Sequence, residues 1–129
     1  MKYTLGKNER LKSRKLIEKL YEEGNSIKVF PLRMMFVKTE HTSDFPVQMG
    51  VSVAKRNFKR AVDRNRIKRL MRECYRLQKE IVYENVDKPY VFMISYLGRE
   101  EWAYENLFSK MEKLLQLFVE QTKNKDLKE

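Results

Sequence analysis

The segment spanning residues 55–76 constrains the fold more than any other part of this sequence. It contains ten basic and two acidic residues, and its apolar residues recur at helical spacing. On a helix, one half of the circumference would carry Arg60, Arg64, Lys68, Arg69, Arg72 and Arg76. The opposite side would carry Ile67, Leu70, Met71, Cys74, Leu77 and Ile81. The segment therefore predicts a helix that buries one face against a core and leaves a cationic face outside.

Strands are predicted on both sides of this helix. Within residues 46–54, Val and Met alternate with small or polar residues, which predicts a strand with one buried face. Residues 90–97 are nearly all apolar, which indicates a central strand covered on both faces. Residues 27–39 are read as one strand, with a break or bulge allowed at Pro31.

Further helices are predicted towards the two ends. Ser13 can cap a helix that runs to Glu23 and ends at Gly24. The basic helix is expected to continue through residues 77–84. Trp102 precedes a last amphipathic helix, and residues 41–44 indicate a turn.

These elements give the order helix, strand, strand, helix, strand, helix, which predicts a single α+β domain over residues 1–129, an α/β sandwich on a small sheet. Residues 1–12 and 123–129 are expected to be flexible. With one cysteine, Cys74, no internal disulfide can form, and its place on the apolar arc predicts a buried, unreactive thiol.

The charge points to a polyanionic partner. The formal net charge is +10, and residues outside 55–76 contribute little to it, with 18 basic and 16 acidic side chains. A solvated charged face usually mixes both signs, and a membrane-surface helix usually carries Trp and Phe on its apolar side. The cationic face of the predicted helix lacks acids and its apolar face lacks Trp and Phe, so the sequence favours nucleic acid over a membrane, without choosing RNA or DNA.

A specific motif then suggests a family. Residues 50–57 read Gly-Val-Ser-Val-Ala-Lys-Arg-Asn and lead into residues 60–73, which include Arg64-Asn65-Arg66. This motif resembles the signature of the bacterial ribonuclease P protein family. A looser resemblance covers most of the rest of the chain.

The resemblance implies a fold and a function. The fold would be one α/β domain with a left-handed βαβ crossover. The protein would bind the catalytic ribonuclease P RNA and the 5′ leader of precursor tRNA, assisting endonucleolytic maturation of tRNA 5′ ends. Mg²⁺ would be held by the RNA, with no catalytic residue, metal site or cofactor in this chain. We expect a cytoplasmic protein with no membrane and no obligate protein partner.

Two sets of site residues follow from the resemblance. The RNA-subunit face would comprise Lys55, Arg56, Lys59, Arg60, Arg64, Asn65, Arg66, Lys68, Arg69, Arg72 and Arg76. The leader cleft, between the first helix and the sheet, would comprise Ile17, Tyr21, Phe30, Arg33, Met35 and Ser52. For the apolar cleft residues, core packing is an equal alternative.

Two other function classes stay open. A ribosomal or ribosome-assembly protein would also be small, basic and non-catalytic. A self-sufficient endoribonuclease would need converging carboxylates or a His pair, whereas this chain has a single histidine, His41, in a polar turn.

Overall fold

A computed structural model describes residues 5–41 and 46–128, without the side chains of Asn8 and residues 124–128. The elements in chain order are α1 (Arg14–Glu23), β1 (Asn25–Val29), β2 (Leu32–Lys38), β3 (Val47–Val53), α2 (Ala61–Arg76), α3 (Glu80–Tyr83), β4 (Tyr90–Tyr96) and α4 (Tyr104–Lys128). The four helices and one mixed sheet confirm the predicted α+β class. Most of the predicted turn at residues 41–44 lies outside the described residues.

The four strands are ordered β1-β2-β4-β3. β1 and β2 form an antiparallel hairpin, β2 pairs antiparallel with β4, and β3 pairs parallel with β4. All seven residues of β4 are buried, which confirms a central strand covered on both faces. β3, α2 and β4 form a βαβ unit with parallel strands. Its left-handed sense stays a prediction.

One face of the sheet carries the main core. Alternate residues of all four strands point to this face and pack against α2, α3 and α4. Phe118 of α4 lies at its centre, with ring centroids 4.9 Å from Phe36, 5.2 Å from Tyr90 and 4.8 Å from Phe92. Such edge-to-face arrangements add to the burial of apolar area, so this face provides most of the stability.

The opposite face has a thinner cover. α1 packs on β2 and β4 there, and a second, smaller cluster includes Leu11, Leu20, Val91 and Met93. The α1 helix begins where predicted, because the Ser13 Oγ accepts a hydrogen bond from the Leu16 N–H at 3.3 Å. α1 ends at Gly24, where a Cβ would lie 2.2 Å from the Leu20 carbonyl oxygen.

Two predicted elements are divided in the structure. The single strand predicted over residues 27–39 is wrong in its simple form, because the chain reverses at Phe30–Pro31 and forms β1 and β2. Proline lacks the N–H that a central strand would need, so a break there follows from its chemistry. The basic helix ends at Arg76 rather than continuing, and a turn at residues 77–79 leaves Leu77 exposed instead of buried.

The described part of the N-terminal segment lies against the rest of the protein. Arg10 forms a β-bridge to Met49 at the edge of β3, and the Leu11 N–H donates to the Met49 carbonyl at 2.9 Å. Glu9 is buried and pairs with Lys79, which is equally buried. At the other end, α4 continues through Lys123 to Lys128.

Candidate nucleic-acid interface

The outward face of α2 carries cations of two kinds. Lys68, Arg69 and Arg72 make no ion pair with any described residue, and Arg69 is exposed while the other two are half-buried. These three side chains lie on one side of the helix because they are separated by one, three or four residues. The apolar side of α2 is held by the buried residues Ile67, Met71, Cys74 and Tyr75, so the cations are directed outwards.

Other cations of the same helix are paired with acids. Arg66 bonds to Asp63 at 2.8 Å and to Glu101, from the loop before α4, at 2.6 Å. Arg60 lies 3.8 Å from Asp63, and Arg76 pairs with Glu73. The expectation of a face without acids is therefore wrong in part. Glu101 lies 35 residues from Arg66 in the chain, so no local pattern announces this pair.

Arg64 has a local structural role. Its guanidinium donates to the carbonyl oxygens of Phe58 and Lys59, at 2.8 and 2.9 Å. These hydrogen bonds hold the loop between β3 and α2. The side chain of Lys59, in this loop, is exposed. The neighbouring Asn65 is also exposed, as expected for the motif.

The loop between β3 and α2 forms a small basic hollow. Lys55 and Arg56 are exposed there, and a cavity of about 260 Å³ is lined by Arg56, Asn57 and Arg99. Arg99 lies in the loop between β4 and α4, and no local sequence pattern predicts that it joins this hollow.

A second basic hollow lies where the N-terminal segment meets α2. Its volume is about 240 Å³, and its lining residues are Leu5, Arg10, Arg69, Arg72, Glu73 and Arg76. Burial and the nearby charge of Arg10 lower the pKa of the Arg72 guanidinium. The segment before α1 has no periodic pattern from which the place of Arg10 in this hollow could be predicted.

The α1 side of the sheet carries a polar row that is partly covered. The strand register places Lys28 beside Arg33, Arg33 beside Ser95, and Ser95 beside Ser52. The Ser52 and Ser95 hydroxyls are hydrogen-bonded at 2.8 Å. The Arg33 Nε is buried and has no hydrogen-bond partner among the described residues. A buried N–H without an acceptor is costly, so this position suits a ligand that brings one.

The other four predicted cleft residues differ in burial and in the side chains that they contact. Ile17 and Met35 are partly buried and pack in the second cluster, whereas Tyr21 is 51% exposed on α1. Phe30 does not join them. It lies in the β1–β2 turn with its ring 6.0 Å from that of Trp102, which packs against the main core on the other side of the sheet. Phe30 therefore contacts Trp102 rather than the other predicted cleft residues, and its assignment to the cleft stays a prediction.

A larger cavity of about 490 Å³ opens at the N-terminal end of α1. It is lined by Lys7, Arg10, Lys12, Ser13, Lys15, Leu16, Glu40, His41 and Gln48. Four of these side chains are cationic, so its chemistry suits an anionic ligand. His41 contributes to the lining, and its ring contacts the Pro46 carbonyl oxygen at 3.4 Å.

Three features of the described residues concern metal binding, thiol reactivity and membrane crossing. Among the described side chains of residues 5–41 and 46–123, no cluster of three or more His, Cys, Asp or Glu is placed to hold a metal ion. Burial raises the pKa of the Cys74 thiol to about 11, as expected for an unreactive cysteine. None of the described helices has the length and apolarity required to cross a membrane.

Comparison with known sequences identifies a family. The family model described as Ribonuclease P matches residues 5–119. The "Ribonuclease P protein component" of Porphyromonas gingivalis is 41% identical over 91 residues, which span 70% of this chain and 66% of that protein, just under two thirds of its length. The component of the same name from Borreliella burgdorferi is 32% identical over 110 residues, covering 84% of this chain and 88% of that one.

Solved structures show the same fold. The RNase P protein from Thermotoga maritima superposes with a TM-score of 0.67 at 23% identity, over 84% of this chain and 96% of that one. The Staphylococcus aureus RNase P protein gives a TM-score of 0.65 at 20% identity, over 84% and 94% of the two chains.

Proposed function

The chain belongs to the ribonuclease P protein family, and from that membership we propose that it is the protein subunit of a bacterial ribonuclease P. In this role it binds the catalytic ribonuclease P RNA and the 5′ leader of precursor tRNA. It thereby assists the endonucleolytic cut that produces mature tRNA 5′ ends. The proposed site of action is the cytoplasm, with no membrane and no obligate protein partner.

The main support is the arrangement of α2. Its buried residues fix the helix on the sheet, and its unpaired cations Lys68, Arg69 and Arg72 face outwards. Arg side chains suit bidentate contacts to phosphate, and a surface of this kind binds RNA backbones through counterion release. By neutralising phosphates where RNA strands approach each other, this face would lower the Mg²⁺ concentration that the RNA needs.

The leader is assigned to the polar row beside α1. Arg33 supplies a donor without a partner, and the Ser52 and Ser95 hydroxyls can bond a ribose or a phosphate. The exposed ring of Tyr21 offers a surface for one base, and base stacking of this kind contributes about 1–3 kcal/mol. Because only the precursor has a leader, these contacts would favour precursor over mature tRNA.

The proposal places the chemistry in the RNA. Mg²⁺ is held by the RNA subunit, and this chain contributes charge, position and leader contacts.

A reconstitution experiment tests the assignment. Precursor tRNA is incubated at low Mg²⁺ with a bacterial ribonuclease P RNA transcript, with the protein, and with both. We expect cleavage at the mature 5′ end only in the mixture. With about six phosphate contacts, log affinity for the RNA should fall with log salt at a slope near −4 to −5.

Other outcomes would contradict the proposal. A mixture that cuts no better than RNA alone would remove the subunit assignment and favour a ribosomal role, which co-sedimentation with ribosomal subunits would test. Cleavage by the protein alone would show that it carries its own catalytic groups. A salt slope near zero would contradict the electrostatic account of binding.

A further inference from the structure

The hollow between the N-terminal segment and α2 has a marked excess of positive charge. Four arginines and one acid, Glu73, line it. Glu73 is already paired with Arg76, which lowers the pKa of that carboxyl. Arg10, Arg69 and Arg72 make no ion pair with any described residue, so three positive charges share about 240 Å³.

Such a concentration of charge is unfavourable without an anion. Like charges repel, and the lowered pKa of Arg72 reflects its burial and the presence of Arg10. A water molecule takes up about 30 Å³ in the liquid, so a hollow of about 240 Å³ has the volume of several water molecules. This is enough room for a phosphate group. The planar forks of several arginines suit the tetrahedral arrangement of phosphate oxygens.

Arg10 is held in this position from both sides. On its C-terminal side, the Leu11 N–H donates to Met49 at 2.9 Å and the Leu11 side chain is buried. On its N-terminal side, a Glu9 carboxylate oxygen accepts from the Lys79 ammonium at 2.7 Å and from the Tyr83 hydroxyl. Glu9 and Lys79 are each only 2% exposed.

The buried pair joins residues that are 70 positions apart in the chain. It fixes the N-terminal segment to Lys79, in the turn between α2 and α3. This turn directly follows α2, the helix that carries Arg69 and Arg72. Two charges are costly to bury, and a neutral pair of similar size is often at least as stable. Stability alone therefore does not account for an ion pair here, whereas orienting Arg10 before RNA binds would reduce the ordering cost of binding.

We propose that Arg10, Arg69 and Arg72 form one binding site for a phosphodiester group of an RNA backbone, and that the buried Glu9–Lys79 pair positions Arg10 in it. The site deepens the proposed function, because it extends the α2 face onto a segment outside the helix. Arg76 and Glu73 form its wall. Glu9 and Lys79 are positioning residues and do not touch the RNA.

A double-mutant cycle tests whether the arginines share one phosphate. Affinity for a bacterial ribonuclease P RNA transcript is measured over a range of KCl for the native protein, Arg10→Ala, Arg72→Ala and the double variant. We expect each single change to weaken binding about tenfold and to reduce the magnitude of the salt slope by about 1. The double variant should lose less than about thirtyfold, because its two losses concern the same group.

Additive losses, about a hundredfold in the double variant, would show two separate contacts and overturn the shared site. Unchanged affinity in Arg10→Ala, together with an unchanged preference for precursor over mature tRNA, would overturn it as well. Lys113→Ala is the matched control, since it removes one exposed cation from α4 and should leave binding unchanged.

The source of the phosphate is resolved by a second arm with precursor and mature tRNA. If Arg10→Ala weakens binding to the ribonuclease P RNA alone, the phosphate belongs to that RNA. If it lowers only the preference for precursor over mature tRNA, the phosphate belongs to the leader. An effect in neither arm would overturn the site.

The role of the buried pair is tested by the double variant Glu9→Gln/Lys79→Met, which removes both charges together because a single change would leave the other charge buried and alone. Its thermal melting establishes that it folds. We expect about fivefold weaker RNA binding, and no further loss when the same pair is changed in an Arg10→Ala background. An equal loss in both backgrounds would show that the pair does not act through Arg10.

These tests separate the two proposals. If the native protein shows no salt-dependent binding to ribonuclease P RNA, the proposed function fails. If the native protein binds and the Arg10 variant is unchanged both in this binding and in its preference for precursor tRNA, only the phosphate site fails.

Discussion

The two faces of the sheet are covered to very different extents. On one face, α2, α3 and α4 enclose a continuous core in which many side chains are completely buried. On the other, α1 covers a small cluster and leaves the row containing Lys28, Arg33 and Ser52 only partly covered. The closed face stabilises the fold and presents charge on the outside of its helices. The open face presents the sheet itself, so the two proposed RNA contacts have different physical origins.

The largest effect is expected from the closed face. Phe118→Ala would remove a ring that contacts Phe36, Tyr90 and Phe92, and we expect a loss of about 3–5 kcal/mol in the free energy of unfolding. Ile17→Ala, on the open face, is the comparison and should cost about half as much or less, because Ile17 is only partly buried and its side chain is smaller. Urea unfolding of both variants measures this, and equal losses would contradict the comparison.

The next effect distinguishes the two kinds of cation on α2. Changing both Lys68 and Arg69 to Ala should weaken binding to ribonuclease P RNA by about 30- to 100-fold at moderate salt and reduce the magnitude of the salt slope by about 2. Arg66→Ala should have a smaller effect, since Asp63 and Glu101 already neutralise this side chain. Filter binding at several KCl concentrations provides both numbers. A larger loss for Arg66→Ala would mean that RNA displaces its acidic partners.

The smallest effect concerns the open face. Arg33→Met should reduce the preference for precursor over mature tRNA by about tenfold, because it removes the donor that lacks a partner while keeping the length of the side chain. Binding to the ribonuclease P RNA alone should not change. Lys28→Met, one strand further towards the sheet edge, is the control for the lost charge. An equal loss in both variants would show that general charge, rather than the position of Arg33, favours the leader.

The parts of the fold that depend on local patterns were predictable from the sequence. The two-faced helix, the alternating strand β3 and the apolar strand β4 each follow from a period within one segment. The sequence does not decide how the chain divides at Pro31, because a proline is compatible with both a bulge and a turn. The end of α2 at Arg76 does not follow from the sequence either, since residues 77–84 continue an apolar pattern that a turn followed by α3 can also satisfy.

The candidate site was predictable where it lies on one helix and not where it is assembled from distant segments. Lys68, Arg69 and Arg72 follow from helical spacing, whereas Glu101, Arg99 and the buried Glu9–Lys79 pair depend on contacts between segments far apart in the chain. The contact made by Phe30 is of the same kind. Its neighbour Trp102 is brought to it by the connection between β4 and α4, which no local pattern reveals.

The position of β4 has a consequence for how this chain matures during its synthesis. β4 separates β2 from β3 in the sheet, yet it is the last strand in the chain. Until residues 90–96 leave the ribosome, the β1–β2 hairpin and β3 share no neighbouring strand, and the cationic segment emerges before its apolar side has a sheet to cover. A nascent chain halted before Lys88 should therefore be readily degraded by protease, and resistance should appear only after α4 has followed β4 out of the exit tunnel.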